Sequence, residues 1–188
     1  MKPENVVKEL NVESGSNINM LFNQMKKTLP ATTLVAALSL SEPTSRARHL
    51  LCDLAGYRRI KRAVPVLLET LHVLNEHVRS AAAEALMKIG DKRTGAELFK
   101  RLQMESSVGV RQMLILSLGA TKYSDGIPYL LSLLTDPCET TRGCSVWSLG
   151  ELAVNGEVYT ALKVMEPKET SGYVRERIQD AMVKLQRA

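Results

Sequence analysis

Four arginines stand at one repeating spacing, Arg79, Arg111, Arg142 and Arg175, and three of them follow an acid by six residues. Those acids are Glu105, Asp136 and Glu169. A row of guanidinium groups could bind phosphates. A guanidinium also offers five donors in a fixed fork, which suits bracing neighbouring helices through that acid or through carbonyls that end a helix. The bracing role is the expected one, with all seven residues forming a structural ladder. A second charged feature runs from residue 45 to 62, where Arg46, Arg48, Arg58, Arg59, Lys61 and Arg62 face one acid, Asp53. This stretch holds the whole formal net charge of +5 and leaves the remainder neutral. Arg58, Arg59, Lys61 and Arg62 could meet an anionic partner. A nucleic-acid surface, however, wants clustered cations with stacking aromatics, and only Tyr57 is interleaved here.

Other reactive side chains are sparse. His49, His72 and His77 do not pair at ligand spacing, and Cys52, Cys138 and Cys144 form no CxxC. An odd number of cysteines favours free thiols. Cys138 and Cys144 flank a turn and a helix start, where thiols are acidified, although small core or turn residues are the simpler reading. No Gly-rich phosphate loop or nucleophile pair stands out. No catalytic residue, metal or cofactor is therefore expected.

The elements that carry the arginines are copies of one unit. Val78–Ile89 reads VRSAAAEALMKI, and versions begin at Val110, Thr141 and Val174, offset by 32, 31 and 33 residues. Such a period marks a stacked repeat array. Arg46, 33 residues before Arg79, is the expected arginine of a degenerate earlier copy. Before each copy lies an apolar helical stripe, as in Val64, Leu67, Leu68 and Leu71, or Ile127, Leu130, Leu131 and Leu134. Each unit is thus a first helix (62–72, 95–104, 126–135, 158–166), a turn, and an arginine-bearing second helix. Pro65 and Pro128 stand where first helices start, and a missing N–H costs little there. Residues 3–10, 17–29 and 34–40 read as further helices. Aromatics make up only 4% of the chain, so Leu, Ala, Val and Met must pack it, which suits helix on helix. No apolar run approaches the roughly 20 residues that span a bilayer, and MKPENVVKEL has no signal-sequence pattern. A cytoplasmic protein is expected.

This unit resembles the short HEAT-like repeat of phycobilisome bilin lyases, whose pattern is an acid, a gap, Val-Arg, alanines and Leu-Gly. The resemblance covers about residues 31–188. The unit at Arg79 departs from it, with Val73 where the acid belongs. It implies an all-α, right-handed α–α superhelix of about five HEAT-like pairs: residues 1–30 as a helical cap and 31–188 as one continuous solenoid. The polar last helix would close the array, ending naturally at Ala188. The His-Glu pairs of di-iron HEAT hydroxylases are missing.

Numbering each second helix from its Val or Thr, positions 1, 4, 5, 8, 9 and 12 should face the core and 3, 6, 7 and 10 away from it. Positions six and seven are Ile115 and Leu116 in one unit and Val146 and Trp147 in the next. They should form an apolar concave patch, with Glu84 and Asp180 as its charged rim. The competing reading packs them against adjacent second helices. The expected function is a non-enzymatic adaptor or scaffold that holds another protein there, with neither nucleic acid nor membrane as partner. The alternatives are a bilin lyase or bilin-handling protein, which would use arginines for the tetrapyrrole's propionates, and nucleic-acid backbone binding through the 46–62 patch.

Overall fold

Twelve α-helices, several extended by 3-10 turns, and no strand make up the described residues of the computed structural model, 1–12, 14–152 and 155–187. Ala188, the expected natural end, lies outside them. Packing divides the chain into two units, Met1–Asp91 and Lys92–Ala188.

The first unit holds α1 (Pro3–Val12), α2 (Gly15–Thr28), α3 (Ala31–Leu40), α4 (Arg46–Tyr57), α5 (Val64–Thr70) and α6 (Glu76–Ile89). Helix α4 packs along α6 and is backed by α1, α2 and α3. Ser45 caps α4 by accepting the Arg48 N–H at 3.1 Å, and Asn75 caps α6 by accepting from His77 at 3.0 Å. Both satisfy backbone donors that a helix start leaves open.

The second unit holds α7 (Gly95–Met104), α8 (Val108–Ala120), α9 (Ile127–Ser132), α10 (Glu139–Leu152), α11 (Asn155–Met165) and α12 (Gly172–Gln186). Helices α8, α10 and α12 are second helices and lie side by side, with α10 in the middle. Helices α7, α9 and α11 back them.

Consecutive second helices approach closely at one repeated position. A Cβ on Gly56 would come within 2.6 Å of the Ala85 Cα, and one on Gly119 within 2.7 Å of the Ser148 Cα. One on Gly150 would lie 2.8 Å from the Ala181 Cβ. In each pair position ten of one unit meets position eight of the next. This contact fixes the register of the first copy: Gly56 is position ten, so the repeat arginine is Arg48 and not Arg46. Arg48 is buried, donating to the Ser41 carbonyl at 2.6 Å and to the Thr70 hydroxyl at 3.2 Å. Leu54 and Ala55 stand there in the reverse of the usual small-then-Leu order, which disguised the copy.

Three second helices, α4, α6 and α8, also end alike. Arg59, Gly90 and Lys122 all have φ between 50° and 62°. After α4 and α8, the Ile60 and Tyr123 N–H groups reach back to Ala55 and Leu118. This is the Schellman stop, usually made with glycine. Replacing Arg59 with Gly should therefore raise stability slightly, by about 0.5–1 kcal/mol, as read from a denaturant midpoint.

Candidate functional site

Two of the ladder arginines, Arg79 and Arg142, brace the turns between first and second helices. Arg79 Nη1 donates to the Val73 and Leu74 carbonyls at 2.9 and 2.7 Å, and Arg142 Nη1 to those of Asp136 and Pro137 at 2.9 and 3.3 Å. Arg142 also makes a bidentate pair with Glu169 of the following unit, both bonds 2.8 Å. Arg111 instead reaches the Tyr129 hydroxyl at 3.4 Å, and Arg175 is exposed.

The three acids share a role that their spacing from arginine did not announce. Glu105, Asp136 and Glu169 each accept the backbone N–H two residues on, from Ser107, Cys138 and Ser171, at 2.8–2.9 Å. They close the turn that starts the second helix. The carboxylate of Glu105 takes Arg101 at 2.6 Å, one turn back on its own helix. Asp136 offers Arg142 its carbonyl.

The expected concave patch is corrected by burial. Ile115 and Val146 are both 0% exposed, while Leu116 and Trp147 are half-buried. Position six lies in the seam between neighbouring second helices, where Ser148 Oγ donates to the Ile115 carbonyl at 2.8 Å. A helix flanked on both sides and backed by a third has only a narrow outward strip. Trp147 sits on that strip with Lys184 Nζ 6.0 Å from its ring centroid. Lys184 and Lys122 also pair with Glu151. Burial alone would raise the Glu151 carboxyl, but hydrogen bonds from these two lysines hold it below its ordinary value. Asp180 is exposed, and Glu84 is paired with Lys88 at 2.7 Å.

In the basic stretch, Arg59, Lys61 and Arg62 are exposed. Arg58, expected to be exposed with them, is half-buried and donates to the Leu29 carbonyl that follows α2.

One concavity was not anticipated. A cleft of about 890 Å³ separates the first helices α9 and α11, walled by Leu131, Leu134, Ala161, Val164 and Met165, with the Arg142–Glu169 pair in its lining. Val164 is 56% exposed. Phe99 packs against Tyr123 and Tyr129, with centroids 5.8 and 5.7 Å apart. No such aromatic set stands between α9 and α11 among the described residues. Helix α9 is only six residues long before it tightens into a 3-10 turn. Small-molecule and peptide sites are typically concave, mainly apolar and of this size.

The cysteines divide by surroundings. Burial pushes the Cys52 thiol up to about 12 and the Cys144 thiol up to about 11. The Thr141 backbone N–H and hydroxyl hold the Cys138 thiol below its ordinary value. Cys138 should thus be the first to react with iodoacetamide at neutral pH, and the other two only on unfolding, as peptide mass mapping would show. No group of three or more His, Cys, Asp or Glu residues that could hold a metal occurs among the described residues, and no helix there is long and apolar enough to cross a membrane.

Against known proteins, the sequence matches HEAT repeats over residues 31–108 and 95–182. The chain belongs to the HEAT-repeat family. No curated protein matches it. Similar solved structures are helical repeat solenoids. A designed armadillo repeat protein is 15% identical, with 98% of this chain and 100% of that one covered and a TM-score of 0.59. The complex of CpcE and CpcF of phycocyanin lyase from a Nostoc species is 19% identical, covering 98% and 95%, with a TM-score of 0.57. A second designed armadillo repeat protein, in complex with the peptide (KR)4, is 14% identical, covering 97% and 98%, with a TM-score of 0.53. These likenesses carry the fold. The chain is an all-helical HEAT-repeat solenoid.

Proposed function

We propose that this HEAT-repeat protein is a non-enzymatic binding module that takes a segment of another protein into the α9–α11 cleft. The observation that carries it is the exposed apolar wall of α11, where Ala161, Val164 and Met165 face a cleft that no described residue fills. Exposing such a surface forgoes about 1.5–3 kcal/mol per large apolar side chain, and patches of this kind mark interaction sites. The (KR)4 complex of a designed relative in fold supports peptide capture as a use of such a scaffold. Residues 31–188 would be the repeat body and 1–30 its cap, a division supported by a family match that begins at residue 31. A cytoplasmic setting fits the reduced thiols this reading assumes.

The cleft suits a peptide better than a tetrapyrrole. Arg142 is spent on Glu169, which leaves Lys168 as the one cation in the lining free of a partner among the described residues, a poor match for two propionates. Affinity capture from native lysate should lose its partner with Val164→Glu at unchanged melting temperature and keep it with Trp147→Ala. The opposite pattern would move the site to the second-helix face. Visible absorbance in the purified protein would instead mark a bilin, and capture that collapses steeply with salt would mark the basic stretch.

A further inference from the structure

The lining of the cleft holds more than an apolar wall. Along α11 the residues facing it are Glu157, Thr160, Ala161, Val164, Met165 and Lys168, one stripe of the helix and its 3-10 extension. Most polar groups in the lining are already engaged. Arg142 and Glu169 satisfy each other. The Thr160 hydroxyl donates to the Gly156 carbonyl at 2.7 Å, and the Thr135 hydroxyl to that of Ser132 at 3.3 Å. Asp136 holds the Cys138 N–H and lies beside the Arg142 guanidinium, which offsets its charge.

Two opposite charges are left, at the two ends of the stripe. Glu157 stands in the first turn of α11 and Lys168 at the end of the 3-10 turn Glu166–Lys168. Eleven residue steps along the helix separate them by about 16 Å, three turns. A partner segment that spans the stripe therefore needs a cation against Glu157, apolar side chains against Val164 and Met165, and an anion against Lys168. Helices favour acids in their first turn and bases in their last. A helix with that natural polarity meets both charges only when it runs opposite to α11.

We infer that the occupant is an amphipathic helix of about three turns lying antiparallel to α11, with its acidic N-terminal turn on Lys168 and its basic C-terminal turn on Glu157. This rests on the reading of the cleft as the partner site, and it names the partner's chemistry and direction.

The test uses two hydrocarbon-stapled, fluorescein-labelled 14-residue peptides with leucines at helical i, i+3, i+7 and i+10 spacing. One carries Glu in its first turn and Lys in its last, and the other has Gln in place of that Glu. Stapling keeps both helical, as circular dichroism checks, so helix propensity does not decide the result. By anisotropy at low salt, the full chain should bind the first peptide about two- to fivefold tighter, the size expected for one exposed ion pair. Lys168→Gln should remove that difference while Glu157→Gln leaves it, and Val164→Glu should lose both peptides. Equal affinities, or a preference for the second peptide, with Val164→Glu still abolishing binding, would overturn the inference and leave the cleft as a partner site. If neither peptide binds while lysate capture remains sensitive to Val164→Glu, the helical occupant is wrong. If capture is insensitive to that change as well, the cleft reading itself fails.

Discussion

Gly119→Ala should lower the melting temperature by roughly 5–10 °C, although alanine is the better helix former by about 1 kcal/mol. The added Cβ would lie 2.7 Å from the Ser148 Cα and 3.0 Å from its Oγ. The opposing atom is helix backbone, so no side chain can swing aside, and α8 and α10 must separate. Separation weakens the Ser148–Ile115 hydrogen bond and the apolar seam around Ile115, Val146 and Leu149. Overpacking of this kind costs about 1–3 kcal/mol or more, and at this chain length each kcal/mol is worth about 2–4 °C. Gly109, on the same helix, is the control. A Cβ there meets nothing within 4 Å, so Gly109→Ala should leave the melting temperature unchanged or raise it. If both variants shift alike, the close approach at Gly119 is not what the glycine serves.

That glycine shows why the repeat was readable and its surfaces were not. The 31–33-residue period appears in residue identity, since an arginine at position two and a small residue followed by Leu or Met recur in α6, α8, α10 and α12. The direction a side chain points depends on how many neighbours a helix has. A wheel with one core face assigned position six outward; Ile115 and Val146 lie inward because α10 has α8 on one side and α12 on the other. The first copy was misplaced by two residues because Leu54 and Ala55 invert the pair that marks the register. Gly56, packed on Ala85, was the signal that would have corrected it.

The cleft left even less trace. It arises from a short α9 and from the space beside α11, and a gap has no residue type of its own. Its one sequence hint is that α11 is apolar on both faces, with Val158 and Leu162 buried while Ala161, Val164 and Met165 line the cleft. The ladder was partly visible. Spacing found the arginines and acids, but the acids' shared bond to the N–H two residues on follows from turn geometry that the six-residue interval does not encode.

Arg142→Ala should cost several times more stability than Arg175→Ala, and the part of the difference that rests on Glu169 should fade in acid. Arg142 and Glu169 have side chains only 15% and 3% exposed, and removing one leaves the other buried without its partner. Breaking such a pair costs about 3–5 kcal/mol when fully buried, so about 2–3 kcal/mol is expected for this partly screened one. The exposed Arg175 should stay within about 0.5 kcal/mol of wild type. The bond from Arg142, helped by the Ser171 N–H, holds the Glu169 carboxyl down at about 2, against an ordinary 4.5. A carboxyl depressed on folding adds stability that is fully present above its unfolded value and is lost as pH falls through its folded one. The pair should therefore contribute fully above about pH 4.5 and fade toward pH 2. Other carboxylates titrate in the same window, so the measurement is the difference between wild type and Glu169→Gln in denaturant midpoint. It should be constant from pH 7 to 5 and shrink toward zero by pH 2. A difference that stays flat across that range would mean that packing around Glu169, not its charge on Arg142, holds the last two repeats together.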